Sequence, residues 1–255
     1  MPADIVLVPC LSDNYAVLLH DAGSGTTALI DAPEAPPVRA ALDEKGWKLT
    51  DILITHKHPD HIGGLTELKG EYGAKVFGPR GEASSIPGLD HPLAEGDVAE
   101  VGPWRFETIE TPGHTKGHVV FFEPSEKWLF SGDTLFVMGC GRLFEDTHAA
   151  MWSSLSKLAR LPNETTVWCG HEYTASNAKF CASILPDDPA ISERLKKVEA
   201  ARAAGRPTVP STIGAEKATN VFLRAGEDKV AAAVGLGSGD AAAVFAELRE
   251  RKNRG

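Results

Sequence analysis

Between Thr55 and His61 the chain reads Thr-His-Lys-His-Pro-Asp-His, directly after the apolar run Ile52-Leu53-Ile54. Imidazole nitrogens and carboxylate oxygens are the usual protein ligands of divalent transition metals. A lone histidine at such a place is ordinary packing or surface chemistry. Three histidines and an aspartate this close together call for a shared partner, because clustered buried polar groups are costly without one. The apolar run reads as a short buried strand, so the cluster starts where a strand gives way to a loop. Backbone alternation aims His56 and His58 to one side, while Asp60 and His61 can turn toward a second point nearby.

Three later segments share this form, each with a ligand-type residue beside glycine just past an apolar run. They are Thr111-Pro112-Gly113-His114-Thr115, Phe130-Ser131-Gly132-Asp133-Thr134 and Val167-Trp168-Cys169-Gly170-His171-Glu172. Glycine lets the backbone turn sharply and approach an ion closely. Taken singly, each segment is ordinary turn chemistry. Together they raise the ligand set to His56, His58, Asp60, His61, His114, Asp133 and His171. A mononuclear site seldom needs more than three or four protein ligands, so this set suits two metals sharing a bridge.

The elements that must position these residues alternate in the first two-thirds of the chain. Ile5–Cys10, Tyr15–Leu19 and Thr26–Ile30 read as consecutive strands. A helix follows over Glu34–Gly46, with Gly46 as its stop. Strand Asp51–Ile54 leads into the histidine cluster, and His61–Tyr72 reads as the helix after it. Further strands are expected at Lys75–Phe77, Trp104–Glu110, His118–Glu123, Trp128–Phe130 and Thr165–Cys169, with a helix over Met151–Leu161. Past residue 172 the pattern becomes helical, over Tyr173–Leu185, Ala190–Ala204 and Asp240–Asn253, punctuated at Pro207–Ile213 and Gly235–Gly239. Strands in runs with helices between them imply an α+β fold of stacked sheets covered by helices.

The chain's 255 residues, 42 % hydrophobic and 24 % charged, suit an ordinary globular protein. A net charge of −9 argues against broad nucleic-acid binding, which needs a basic footprint. Cys10, Cys140, Cys169 and Cys181 form no C-x-x-C pair and read as buried reduced thiols. With no basic, apolar leader at Met1 to Leu11 and no long apolar run, a cytoplasmic protein without a membrane partner is expected.

The motifs THKHPDH, GHTKGH, SGDT and CGHEYT resemble the metallo-β-lactamase superfamily and, within it, the glyoxalase II (hydroxyacylglutathione hydrolase) family. The likeness runs from Ser12-Asp13-Asn14-Tyr15 to the basic C-terminus. It implies a four-layer αββα sandwich over residues 1–172 and a helical glutathione-binding domain over 173–255. It also implies two divalent ions, zinc first and iron or manganese as alternatives. His56, His58 and His114 would hold one, Asp60, His61 and His171 the other, with Asp133 bridging. The implied reaction is hydrolysis of S-D-lactoylglutathione to glutathione and D-lactate by a hydroxide between the metals, the second step of methylglyoxal detoxification. Asp60 and Asp133 would thus be catalytic through the metals. Asp31 resembles the family's buried aspartate behind the site; a turn aspartate before Pro33 is the other reading. His118 would pack or support the site from behind.

Glutathione carries two carboxylates, so its site should offer cations. Arg249 and Lys252 match the family's R-x-x-K pattern and share a helix face, although a solvated helix end would use cations in the same way. Tyr173 would contact the glutathione backbone. Arg142 and Phe144 stand where several relatives have lysine and tyrosine, and Phe144 cannot donate a hydrogen bond. Within the superfamily, a lactonase or a one-iron persulfide dioxygenase is the alternative enzyme, and a non-catalytic metal-binding module the alternative class. The full ligand set favours the hydrolase, acting as a monomer on a small-molecule thioester.

Overall fold

The structure, a computed structural model, describes residues 3–237 and 239–254. Met1, Pro2, Gly255 and Ser238, the last inside the expected Gly235–Gly239 punctuation, lie outside the described residues. The chain forms two compact units. One comprises the residues up to Glu110 together with Gly117–Gly132; the other comprises Thr111–Lys116 and the residues from Asp133 onward. The expected division at residue 172 follows motif content, whereas compactness groups the helical tail with the segments that the tail packs on.

The first unit carries a mixed sheet. Strands β1 (Asp4–Cys10), β2 (Asn14–Asp21) and β3 (Thr26–Ile30) run antiparallel, with β4 (Asp51–Leu53), β5 (Lys75–Pro79) and β6 (His91–Leu93) joining in parallel. Helix α1 (Ala35–Lys45) connects β3 to β4 and ends at Gly46, whose φ of 67° is the left-handed cap expected of glycine. One sheet face buries Ala16, Leu18, Leu29 and Ile52 in a cluster with Val38 and Leu42 of α1. The alternate residues Val17, Leu19 and Leu53 are buried as well, so β2 and β4 read as continuous apolar runs rather than alternating ones. An antiparallel meander completes the unit: β7 (Val98–Val101), β8 (Trp104–Glu110), β9 (Val119–Glu123) and β10 (Trp128–Gly132).

The helix expected over His61–Tyr72 is broken into α2 (Pro59–Ile62) and α3 (Leu65–Tyr72). The cause lies at Gly63 and Gly64, which press against the backbone of Pro33–Ala35. A Cβ on Gly64 would sit 2.5 Å from the Ala35 nitrogen. The amide of Gly64 donates to Ala32 O and the amide of Ala32 donates to His61 O, both at 2.8 Å. The glycines thus join the short ligand-bearing turn to the end of β3.

The second unit holds a small hairpin, β11 (Leu135–Phe136) and β12 (Gly139–Cys140), then α4 (His148–Leu158) and β13 (Thr166–Cys169). Helices α5 (Thr174–Ile184), α6 (Pro189–Ala203), α7 (Ile213–Thr219), α8 (Asp228–Ala233) and α9 (Ala241–Arg254) follow. The tail is not wholly helical: β14 (Ser211–Thr212) pairs antiparallel with β13. Strands β6, β7, β11, β12 and β14 and helices α7 and α8 escaped the sequence reading because they are too short to show a period. All four cysteines are unpaired and buried, as expected; burial pushes Cys169 and Cys181 up to about 12.

Gly64→Ala tests the glycine junction. Overpacking of this kind costs about 1–3 kcal/mol, and a fall in the unfolding midpoint by thermal denaturation is the expected outcome.

Candidate metal centre

In the first unit the ligand cluster hangs from the end of β4. Asp31 follows β3 in the left-handed region (φ 56°), a conformation aspartate tolerates better than most residues. Its Oδ1 accepts from the Thr55 amide at 2.8 Å, and its Oδ2 accepts from Thr55 Oγ1 at 2.9 Å. The same Oδ2 lies 2.9 Å from His61 Nδ1. Of the two readings of Asp31, support for a ligand histidine is the one the geometry carries.

This network decides which nitrogens of His56 and His61 carry a proton. Because a carboxylate only accepts, His61 Nδ1 carries its proton and Nε2 presents a lone pair. The Thr55 hydroxyl already donates to Asp31, so at 3.0 Å its oxygen accepts from His56 Nδ1, which leaves His56 Nε2 bare. That nitrogen lies 3.1 Å from His58 Nδ1. Asp60 is half-buried: its carboxylate stands 3.7 Å from His61 Nε2 and takes a hydrogen bond from Asn14 Nδ2 at 3.1 Å. Asn14 also donates to the Asp60 carbonyl at 3.0 Å. Sequence reasoning had quoted Asn14 only as part of a motif, and a role for it in steering Asp60 needed coordinates. His118 is fully buried, its ring 4.8 Å from that of His56.

In the second unit His114, Asp133 and His171 come together. Asp133 Oδ2 lies 3.4 Å from His114 Nε2 and 3.3 Å from His171 Nε2. His114 Nδ1 is 2.8 Å from the Arg142 carbonyl; a carbonyl can only accept, so Nδ1 carries the proton. The bare Nε2 then faces a carboxylate oxygen, acceptor against acceptor, which a cation between them would resolve. Gly141 is required here because a Cβ would run into the Asp133 carbonyl and come within 3.3 Å of His114 Nδ1. Gly113, at φ 152°, makes the matching close approach to Met151 of α4.

The expected substrate residues also lie in this unit. Tyr173 stacks on His171 with ring centres 4.6 Å apart and planes at 6°, and stays 39 % exposed. Phe144 is 63 % exposed with its ring edge on His114. Lys252 is half-buried, its ammonium 2.7 Å from Ser176 Oγ and over the Phe180 ring. Burial, with Arg249 nearby, holds its pKa below the ordinary lysine value. Arg249 instead turns inward: it is 3 % exposed, and its guanidinium donates to the Cys140 carbonyl at 2.9 Å. The shared helix face expected of the two cations therefore places one of them against the β11–β12 hairpin.

That hairpin follows Asp133 directly, and the helical tail holds its backbone at nearly every residue. Asn177 donates to the Val137 carbonyl, Glu216 accepts from the Met138 amide at 2.7 Å, and Asn220 donates to the Gly139 carbonyl. Glu216 is fully buried and also takes the Arg194 guanidinium. None of these tail residues was singled out in the sequence, since their partners lie 40 or more residues away.

Histidine and aspartate clusters able to hold a metal ion are thus present among the described residues, and their tautomers fit one. Comparison with known proteins agrees. The family model "Metallo-beta-lactamase superfamily" matches residues 10–171, and "Hydroxyacylglutathione hydrolase C-terminus" matches 172–255. A Rhodopseudomonas palustris protein named hydroxyacylglutathione hydrolase is 54 % identical over 100 % of both chains. Among solved structures, ETHE1 from Myxococcus xanthus shares the fold at a TM-score of 0.71 and 24 % identity, covering 99 % of this chain and 92 % of its own. The di-iron-bound form of TTHA1623 matches at a TM-score of 0.60 and 26 % identity, over 86 % of this chain and 99 % of its own.

Asp31→Asn replaces one accepting oxygen with a donor facing Thr55 or His61. Loss of such an orienting partner weakens metal binding by about 10–100-fold, and competition against a chelator should read a drop of that size.

Proposed function

Since the chain belongs to the hydroxyacylglutathione hydrolase family of the metallo-β-lactamase superfamily and is a metal-dependent thioester hydrolase, we propose that it cleaves S-D-lactoylglutathione with two divalent ions, zinc first among them. His56, His58 and His114 hold one ion and Asp60, His61 and His171 the other, with Asp133 bridging. The observation that carries this reading is the tautomer pattern: the hydrogen bonds of His56, His61 and His114 all leave Nε2 bare. A di-iron form of TTHA1623 supports the two-ion count.

Bound ions of this kind acidify a water and polarise an acyl carbonyl. The protein's own part is geometry. Asp31 and the Arg142 carbonyl fix imidazole tautomers before substrate arrives, so little reorganisation is left for the reaction. Asp133 offers a carboxylate to two imidazoles at once, and Asn14 keeps Asp60 turned toward His61. A thioester suits the site because thiolate is a good leaving group and needs less assistance than an amine.

The helical segment 173–255 then serves as the glutathione-binding domain and 1–172 as the catalytic one. Tyr173 and Phe144 offer exposed aromatic surface to the tripeptide, with Arg142 adding a cation. Lys252 meets the glycine carboxylate while Arg249 backs it from the buried side. Phe144 lacks a hydroxyl and contributes contact alone, which weakens the hold on the peptide backbone. In this reading the enzyme works in the cytoplasm as a monomer with neither nucleic acid nor membrane as partner. No described helix is long and apolar enough to cross a membrane.

Metal-replete protein should hydrolyse S-D-lactoylglutathione and leave a lactone and a persulfide largely untouched; failure to cleave the thioester with metal bound would overturn the proposal. Asp133→Ala should bring the metal content to one ion or none by elemental analysis. Lys252→Ala should raise KM about tenfold with kcat held, as expected when a contact is equally strong in ground and transition states. Arg249→Ala should raise KM and also lower the unfolding temperature, because a buried carbonyl loses its donor.

A further inference from the structure

We propose that Glu82 is a positioning residue of the metal centre, fixing the His56–Lys57 peptide through which the chain passes from His56 to His58; this rests on those two histidines being ligands. Glu82 lies in a single 3-10 turn, Arg80–Ser85, and is 3 % exposed. A carboxylate taken out of water is costly unless it is well hydrogen-bonded. Its partners are two backbone amides from distant parts of the chain. Oε2 accepts from the Lys57 amide at 2.7 Å, and Oε1 accepts from the Gly117 amide at 3.2 Å. The cation on the same turn, Arg80, is engaged with Asp97 instead.

Lys57 is the residue between the two histidines, and it belongs to no helix or strand. Its amide therefore has no ladder partner, and an unpaired amide here would leave the peptide plane free to turn. That plane joins His56 to Lys57, so turning it swings the Cα–Cβ direction of His56 and redirects the backbone that leads through Lys57 to His58. Their facing nitrogens are only 3.1 Å apart, so a modest rotation would destroy their convergence. A charged acceptor makes the restraint short and strong.

The second amide ties the same carboxylate to the GHTKGH segment. Gly117 precedes His118, whose ring packs beside that of His56. A Cβ on Gly117 would fall 2.5 Å from Glu82 Cγ, so glycine at this place is what admits the carboxylate. The Thr55 carbonyl, meanwhile, accepts from the Val119 amide at 3.0 Å. The ligand loop is thus restrained by Asp31 at Thr55 and His61, by Val119 at Thr55 and by Glu82 at Lys57. Asp31 restrains His61 through its ring, whereas Glu82 restrains the His56–His58 stretch through its backbone.

Glu82→Gln keeps the size and hydrogen-bonds through one oxygen, but sets an amide donor against a backbone donor. Zinc affinity would be measured by chelator competition, with unfolding temperatures of metal-free and metal-loaded protein. Cobalt-substituted protein would report ligand geometry through its visible absorption. The expected result is an affinity loss of about 10–100-fold, a smaller metal-dependent rise in unfolding temperature, an altered cobalt spectrum and an unchanged KM. Glu82→Asp, which keeps the charge but is too short to span both amides, should fall between Gln and the parent and decides the matter if Gln does not fold. Equal drops in both unfolding temperatures, with affinity and cobalt spectrum unchanged, would overturn the proposal and leave Glu82 a packing residue. Parent protein that binds no zinc would instead overturn the ligand assignment beneath it.

Discussion

One buried carboxylate, Asp31, carries the geometry of the histidine cluster in the first unit. It is held in a left-handed backbone conformation and takes three hydrogen bonds from the loop and short helix α2 that follow β4. Each of those bonds has a chemical consequence. The bond to His61 fixes that ring's proton. The bond to Thr55 turns the hydroxyl oxygen into an acceptor and so fixes the proton of His56. A charged, nearly solvent-free group would be a liability in a core of apolar strands; it is tolerated because every partner is a donor. The tautomers of His56 and His61 therefore depend on a residue that would never need to touch a metal.

The cluster in the second unit fixes a tautomer with different parts. There the Arg142 carbonyl, not a carboxylate, sets the tautomer of His114. That carbonyl is held in place by its neighbours: Cys140 is fixed by Arg249, Gly139 by Asn220 and Met138 by Glu216. The helical tail is thus also the scaffold that orders the segment after Asp133. Under the proposed function, the grip on a glutathione thioester and the order of that segment would be joined in one structure.

Much of this was legible beforehand. The candidate ligand residues stood out because chemistry restricts metal binding to a few side chains, and four of them within six residues are hard to explain as an ordinary core. The long strands and helices were legible because each repeats its apolar pattern over several turns or alternations. The gap at Gly63–Gly64 was not: the local pattern of His61–Tyr72 is helical, and only the approach of Pro33–Ala35 breaks it. Glu82 was equally invisible, since a glutamate beside arginine and glycine looks like a solvated turn until its amide partners are known.

The sequence alone therefore determined the family, the α+β class that goes with it and the metal-binding chemistry, because these rest on motifs of residue type and short spacing. It also identified Lys252 and Tyr173 as residues to watch. Only the tertiary structure decided that Asp31 orients a ligand, that Arg249 faces the hairpin, that the tail clamps the backbone after Asp133, and that Glu82 reaches Lys57. Each of those depends on a hydrogen bond between residues far apart in the chain, and no local pattern encodes which distant amide or carbonyl a buried side chain will meet.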